Sequence, residues 1–200
     1  ISIESDGVLK IIRNESIGKK LWDTGVGVWG YNDWTRPAVV NSYLNDDYYN
    51  SLNGDKAIIE SHIWNTGAVT HGNSDLANQI VEEKAKTWDG KVGLISVSDY
   101  LKANSNTSQC GNFSLNNSNW ETCKQTNFLV QSERFWTITA YDKIVLNTST
   151  VVFNINNNGG VSGESAGYAP YDILPTVYLK NTIILKGLGT ESQPYVINSY

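Results

Sequence analysis

Histidine, cysteine, methionine and charge are all scarce in this chain. Its 200 residues hold two histidines, two cysteines, four prolines and no methionine. No apolar run approaches the eighteen or so residues that a membrane-spanning helix needs, so no membrane contact is expected of this segment. No signal peptide is visible either. The first residues already read as a strand, and with no methionine present the expectation is a portion of a longer protein. Charged residues make up 18%, with a net charge of −5. Lysine and arginine are scattered, and only Lys19-Lys20 are adjacent. Without a basic stripe, nucleic acid is not an expected partner.

The same scarcity bounds the chemistry. His62 and His71 are nine residues apart and lack the i, i+4 spacing of a helical zinc site. A structural role is expected for His62, beside Ile63 and Trp64. A nucleophile elbow is not expected, the segment Gly163-Glu-Ser-Ala-Gly167 being discounted. Gly25-Val-Gly27 lacks the Lys-Ser/Thr of a phosphate loop. Asp46-Asp47 and Glu82-Glu83 are adjacent carboxylates that diverge around a helix, so solvated faces are expected for both. No spacing matches an EF-hand, although scattered Asp and Asn could hold calcium. The reading is therefore not an enzyme, with no cofactor and no metal site.

What the chain has is aromatic and amide side chains. Seven Trp and eleven Tyr stand among 40% hydrophobic residues, which excludes disorder. At this length about 70% of the unfolded surface is buried on folding. Cys110 and Cys123 enclose a polar, turn-forming insert and are expected to be bonded; the alternative is two unrelated thiols. Such a bond implies an oxidising compartment. Five Asn-x-Ser/Thr triplets begin at Asn14, Asn106, Asn112, Asn116 and Asn147. In so asparagine-rich a chain they are expected by chance.

Asp6-Gly7 between two apolar runs predicts a hairpin. Residues 22–36 read as an aromatic-rich loop. Pro37 opens a predicted helix with Val40, Leu44 and Tyr48 on one face. Residues 57–64 read as a strand or short apolar segment. A second helix is predicted over 75–86, with Ser74 as cap and Leu76 and Ile80 facing inward. Residues 92–97 read as a buried strand, and Ser98 as the cap of a helix over 99–103. Segments 128–130, 135–140, 151–155, 161–163, 174–179 and 182–186 read as strands, with Asn156 to Gly160 as a hairpin turn. Helices fall mainly in the first half and antiparallel strands mainly in the second. That order argues for an α+β fold in one domain.

The stretch from Tyr141 to Tyr171 mixes Tyr, Asn, Ser, Asp and Gly along strands and turns. Rigid binding surfaces use these side chains. Strand alternation would bury Val151, Phe153 and Ile155 and turn Val152 and Asn154 outward. The candidate ligand face is Tyr141, Asp142, Lys143, Asn147, Asn154, Asn157, Tyr168, Tyr171 and Asp172. The bland alternative is an ordinary sheet with buried tyrosines.

Several segments together carry a resemblance. They are Leu9-Lys-Ile-Ile-Arg-Asn-Glu-Ser16, Arg36-Pro37 followed by Tyr43-Leu-Asn45 and Tyr48-Tyr-Asn-Ser-Leu52, and Gly93-Leu-Ile-Ser-Val-Ser-Asp-Tyr-Leu-Lys-Ala-Asn104. The Cys110 to Cys123 loop, Phe135-Trp-Thr137, Leu174-Pro-Thr-Val-Tyr-Leu179 and the Gly187 to Ile197 turn add to them. The chain resembles the globular C-terminal domain of type IV prepilin-like surface proteins of Firmicutes. Those proteins usually carry Arg where this chain has Leu174. A more distant resemblance is to C-type-lectin-like folds of the formylglycine-generating type. Those enzymes need late cysteines, and none follows Cys123. The resemblance implies an extracellular, cell-surface or pilus-associated module for adhesion or ligand binding. Its partner would be a host or microbial surface protein or glycan. The alternatives are a structural pilin-type subunit contacting neighbouring pilus subunits, and a glycan-acting hydrolase.

Overall fold

The computed structural model describes residues 2–24, 30–36, 38–70, 76–106, 110, 120–142, 144–145, 148–183, 185–187, 193 and 196–197. Asp6-Gly7 makes the expected hairpin. Gly7 takes a φ of +84°, which glycine adopts without steric cost. The turn joins β1 (Ser2–Ile3) to β2 (Leu9–Ile12), with Ser2 opposite Lys10 and Ile3 opposite Leu9. β2 pairs in turn with a late strand, β15 (Thr176–Leu179), and β15 pairs with β4 (Ile59–Glu60) and β8 (Val92–Gly93). All these pairings are antiparallel, so the N-terminal hairpin and the C-terminal third share one five-stranded sheet.

The larger sheet is built on β9 (Phe135–Tyr141). On one side lies β12 (Val151–Ile155), which pairs with β13 (Val161–Ser165) across the Asn156–Gly160 turn. On the other side β9 meets β14 (Tyr171–Asp172) at Phe135 and β6 (Ala68–Val69) at Ala140 and Tyr141, both parallel. β3 (Lys19–Lys20) completes the sheet beyond β14. Two-stranded pairs are β5 (His62–Asn65) with β7 (Thr87–Gly90), β10 (Ile144–Val145) with β11 (Thr148–Ser149), and β16 (Leu185–Lys186) with β17 (Val196–Ile197).

Helices are short. α1 (Val39–Tyr43) runs through a π turn (Leu44–Tyr48) into α2 (Tyr49–Ser51) and a 3₁₀ turn (Asn53–Ile58). α3 (Leu76–Lys84), α4 (Val97–Lys102) and α5 (Trp120–Lys124) follow. The mixed α+β class holds, but the segregation does not. Among the described residues, eight strands lie before residue 94 and one helix after residue 119, because the two ends of the chain meet in one sheet. Residues 128–130 form no strand, and Phe128 stands 75% exposed.

Both faces of β9 and β12 are buried. Trp136, Ile138 and Val152 join a core with Trp22, Trp34, Trp64, Val40 and Leu44. Phe135, Phe153 and Ile155 join a second core with Tyr100, Leu101, Cys110 and Cys123. The expected burial of Val151, Phe153 and Ile155 is found. The expected exposure of Val152 and Asn154 is corrected, since both are wholly buried. Alternation here separates two cores rather than core from solvent. The 22–36 loop belongs to the first core: Trp22 donates its ring N–H to the Thr137 carbonyl at 3.0 Å. Asn32 donates to the carbonyls of Tyr141 and Val151, which pins that loop across β9 and β12. The Cys110–Cys123 disulfide is formed, with Cα atoms 5.8 Å apart, inside the usual range for a bond.

Candidate functional site

The geometry with most chemistry lies where the N-terminal hairpin crosses α4. Lys10 interrupts the apolar run of β2, so its side chain is carried under the hairpin with little water around it. Its ammonium donates to Asp99 Oδ2 at 2.6 Å, and the side chains are 10% and 20% exposed. Asp99 is fixed from the other side. Ser96 caps α4, with its Oγ accepting from the Asp99 N–H, and Asp99 Oδ2 accepts from the Ser96 N–H. This capping box satisfies two orphan donors at once. The cap is therefore Ser96, not Ser98, and the helix starts two residues earlier than the sequence reading has it.

Burial alone would lower the Lys10 pKa, but the Asp99 charge and hydrogen bond more than offset it and hold the ammonium well above the usual lysine range. Burial likewise pushes Asp99 up, and Lys10 outweighs it, so this carboxyl sits below the usual aspartate range. The pair is ionised. Tyr178 and Trp64 flank it, each ring centroid 5.2 Å from Lys10 Nζ.

A second carboxyl lies nearby. The inner face of α3 is Gln79 and Glu83, spaced i, i+4, while Leu76 and Ile80 are only half-buried. Glu83 is 2% exposed, which corrects the expectation of a solvated Glu82-Glu83 pair. Its Oε1 accepts from the Ser98 N–H at 3.1 Å and from Thr139 Oγ1 at 2.9 Å. These partners explain how a carboxyl replaces an apolar residue there. Burial raises its pKa, opposed by the Ser98 hydrogen bonds and reinforced by the charge of Asp99. The buried Ser98 hydroxyl lies against the same carboxyl, yet no partner holds it in a hydrogen bond of good geometry.

Two adjoining cavities open on this cluster, of about 330 and 230 Å³. Both are lined by Ile3, Glu4, Lys10, Asp99 and Lys102. The larger adds Ile12, Ile95, Phe128 and Leu129 and is mostly apolar; the smaller adds Asn65, Glu83, Ser96 and Ser98 and is mostly polar. The sequence reading missed this cleft. Its signals were a lysine inside an apolar strand and the Ser96-x-x-Asp99 spacing of a capping box.

The expected tyrosine face is divided. Tyr141 stacks on Phe153 at 4.8 Å and is half-buried at the end of β9. Tyr171 and Asp172 sit beside Phe135 at the strand's start, about 20 Å away along six residues. Tyr171 packs on Trp136 and accepts a hydrogen bond from Arg134, and Asp172 accepts one from Ser16. Asn154 is buried and accepts from Ser162. Asp142, Asn157 and Tyr168 are exposed. Lys143 and Asn147 lie outside the described residues, as do His71 and Gly25 to Gly27.

His62 stacks on Tyr178 at 3.8 Å and lies 3.6 Å from Asp6 and 3.7 Å from Glu60. Gly163-Glu-Ser-Ala-Gly167 does have the spacing of a nucleophile elbow, and its discounting is corrected on that point. Ser165, however, ends β13 opposite Val151 and is 8% exposed, not on a strand-to-helix turn. Among the described residues no group of three His, Cys, Asp or Glu side chains is placed to hold a metal ion. No described helix is long and apolar enough to cross a membrane. No protein-family model, curated protein or solved structure matches the chain.

Proposed function

We propose that this chain is an extracellular ligand-binding module, displayed at a cell surface, whose ligand sits in the cleft between the N-terminal hairpin and α4. The observation that carries the reading is the pair of adjoining cavities, one apolar and one polar, sharing the Lys10–Asp99 floor. Ligand sites combine apolar walls with a few fixed polar groups in this way. Ile3 and Phe128, 72% and 75% exposed, stand at the apolar mouth. Large side chains so exposed at a concave surface fit contact with a partner better than a role in folding. The disulfide is compatible with an oxidising exterior. Lys10 and Asp99 serve here as a fixed polar floor, because each is the other's ion-pair partner at 2.6 Å.

The test is binding of the intact chain to glycan and surface-protein arrays, followed by the Ile3→Ser/Phe128→Ser double variant. Loss of array binding in a variant that keeps its near-UV circular dichroism supports the cleft. Unchanged binding overturns it and returns attention to Tyr168 and Asp142.

A further inference from the structure

We infer that the smaller cavity receives a small hydroxylated carboxylate, such as a sugar acid, with its hydroxyls inward and its carboxylate at the lysine-lined mouth. This inference rests on the cleft being the ligand site and names the chemistry of its inner half. The cavity, at about 230 Å³, lies below the roughly 300–1,000 Å³ of sites for drug-sized molecules, so one ring or a short polar chain fills it. Its walls are mostly polar. An apolar occupant would strand those groups without partners, at a cost of about 1–3 kcal/mol each.

Inside, the fixed charges cancel. Lys10 and Asp99 neutralise each other at 2.6 Å. Glu83 Oε1 is already engaged by the Ser98 N–H and the Thr139 hydroxyl. Among the described residues, the interior therefore offers hydrogen-bonding groups and no unpaired cation to a carboxylate. The Ser98 hydroxyl is buried against the Glu83 carboxyl without a hydrogen bond of good geometry, and its residue lines the cavity. Asn65, in the same wall, adds an amide that both donates and accepts. Together these match a body carrying several hydroxyls. At the mouth the balance differs: Lys84 and Lys102 face one acidic group, Glu4, and both lysines are exposed. That excess of one positive charge orients a carboxylate outward. An ammonium-bearing ligand would meet it with the wrong sign.

The experiment is a two-dimensional NMR titration of the labelled, disulfide-bonded chain with glucuronate, against glucose and acetate as controls. Saturable shifts are expected at the amides of Ser98, Asp99 and Lys102 with glucuronate, and at least tenfold weaker binding for each control. Lys102→Met, an exposed substitution that leaves the spectrum dispersed, should weaken glucuronate at least fivefold and leave glucose unchanged. Two further probes separate the sources of such a ligand. Open-chain gluconate represents a free hydroxy acid, and methyl glucuronide represents the acidic end of a glycan; saturable binding of either supports the inference. Equal binding of glucose and glucuronate overturns it, as does the absence of cavity shifts with all the acids. Retained array binding that glucuronate cannot compete removes this inference alone and leaves the cleft reading standing.

Discussion

The β9–β12 sheet and the floor of the cleft under the hairpin both draw polar groups out of water, but on opposite principles. In the sheet, buried polar atoms are neutral and mostly spent on backbone partners: Trp22 on Thr137, Trp136 on Lys20, Thr137 on Phe153. There burial removes apolar surface from water at little polar cost, and each Trp adds a large area. In the cleft, burial falls on an ammonium and two carboxyls, whose desolvation consumes most of what their mutual attraction returns. A fold that needed only stability would place apolar side chains at Lys10, Glu83 and Asp99. The sheet explains why the chain folds. The cleft gathers charged groups that satisfy one another and the start of α4 but bury little apolar surface.

The contrast can be tested first where effects are largest. Trp22→Ala should cost about 3–5 kcal/mol, because a wholly buried ring is lost from a packed core and its cavity cannot fully collapse. Urea unfolding measures it, and a cost below about 1 kcal/mol would mean the 22–36 loop is not part of the core. Asp99→Ala should cost a similar 3–5 kcal/mol, for a different reason: it strands a buried ammonium and removes the α4 cap. The double variant Lys10→Met/Asp99→Asn removes both charges and keeps an acceptor for the Ser96 N–H. It should recover most of that loss. If it is as unstable as Asp99→Ala, the ions contribute to stability and the contrast with the sheet fails. Next comes the disulfide, whose reduction should cost about 3 kcal/mol on the loop-entropy account for a separation of 13 residues. Comparing unfolding with and without reductant decides it.

The parts of the fold legible in the sequence were those fixed by local chemistry. Asp6-Gly7 and Asn156 to Gly160 made their hairpins because turn residues set backbone dihedrals within a few positions. Cys110 and Cys123 were legible because no other partner existed. Tertiary context decided the rest. Asn154 reads as an outward position until a second core is known to cover the far face of β12. Glu83 reads as solvated because nothing local shows that Thr139, 56 residues away, and the Ser98 N–H await its carboxylate. Lys10 and Asp99 lie 89 residues apart, and a single sequence gives no sign that they meet. The tyrosine face was assembled by proximity along the chain, whereas Tyr141 ends β9 and Tyr171, on β14, lies beside the start of that strand.

A smaller effect separates the two carboxyls of the cleft by sign. Glu83 has a folded pKa above its unfolded value near 4.3, so between those two pH values the folded chain holds the extra proton. Stability therefore falls as pH rises through that window and is level above it. Glu83→Gln keeps an acceptor for Ser98 and Thr139 and removes the titration. Its urea midpoint should decline less than that of the parent chain between pH 4 and pH 7. Asp99 has a depressed pKa, so its contribution is present above about pH 4 and is lost only as pH falls below that. A Glu83→Gln variant that follows the parent pH profile would show that Glu83 ionises freely and that the cavity interior carries its charge.

The smallest effect on stability is expected at Tyr168, and it bears on where the ligand sits. The ring is 66% exposed in the turn after β13, and replacing it by Ser should change stability by no more than about 0.5 kcal/mol. Half-buried Tyr171 differs, because Trp136 and Arg134 pack on it, so Tyr171→Ser should be the more destabilising of the two. Equal, negligible losses would mean that both tyrosines are surface residues and that the packing of Trp136 and Arg134 on Tyr171 contributes little. With Tyr168→Ser folded and stable, array binding becomes a clean comparison with Ile3→Ser/Phe128→Ser. Binding that survives loss of Tyr168 but not of the cleft mouth places the ligand under the hairpin; the reverse places it on the β13 turn.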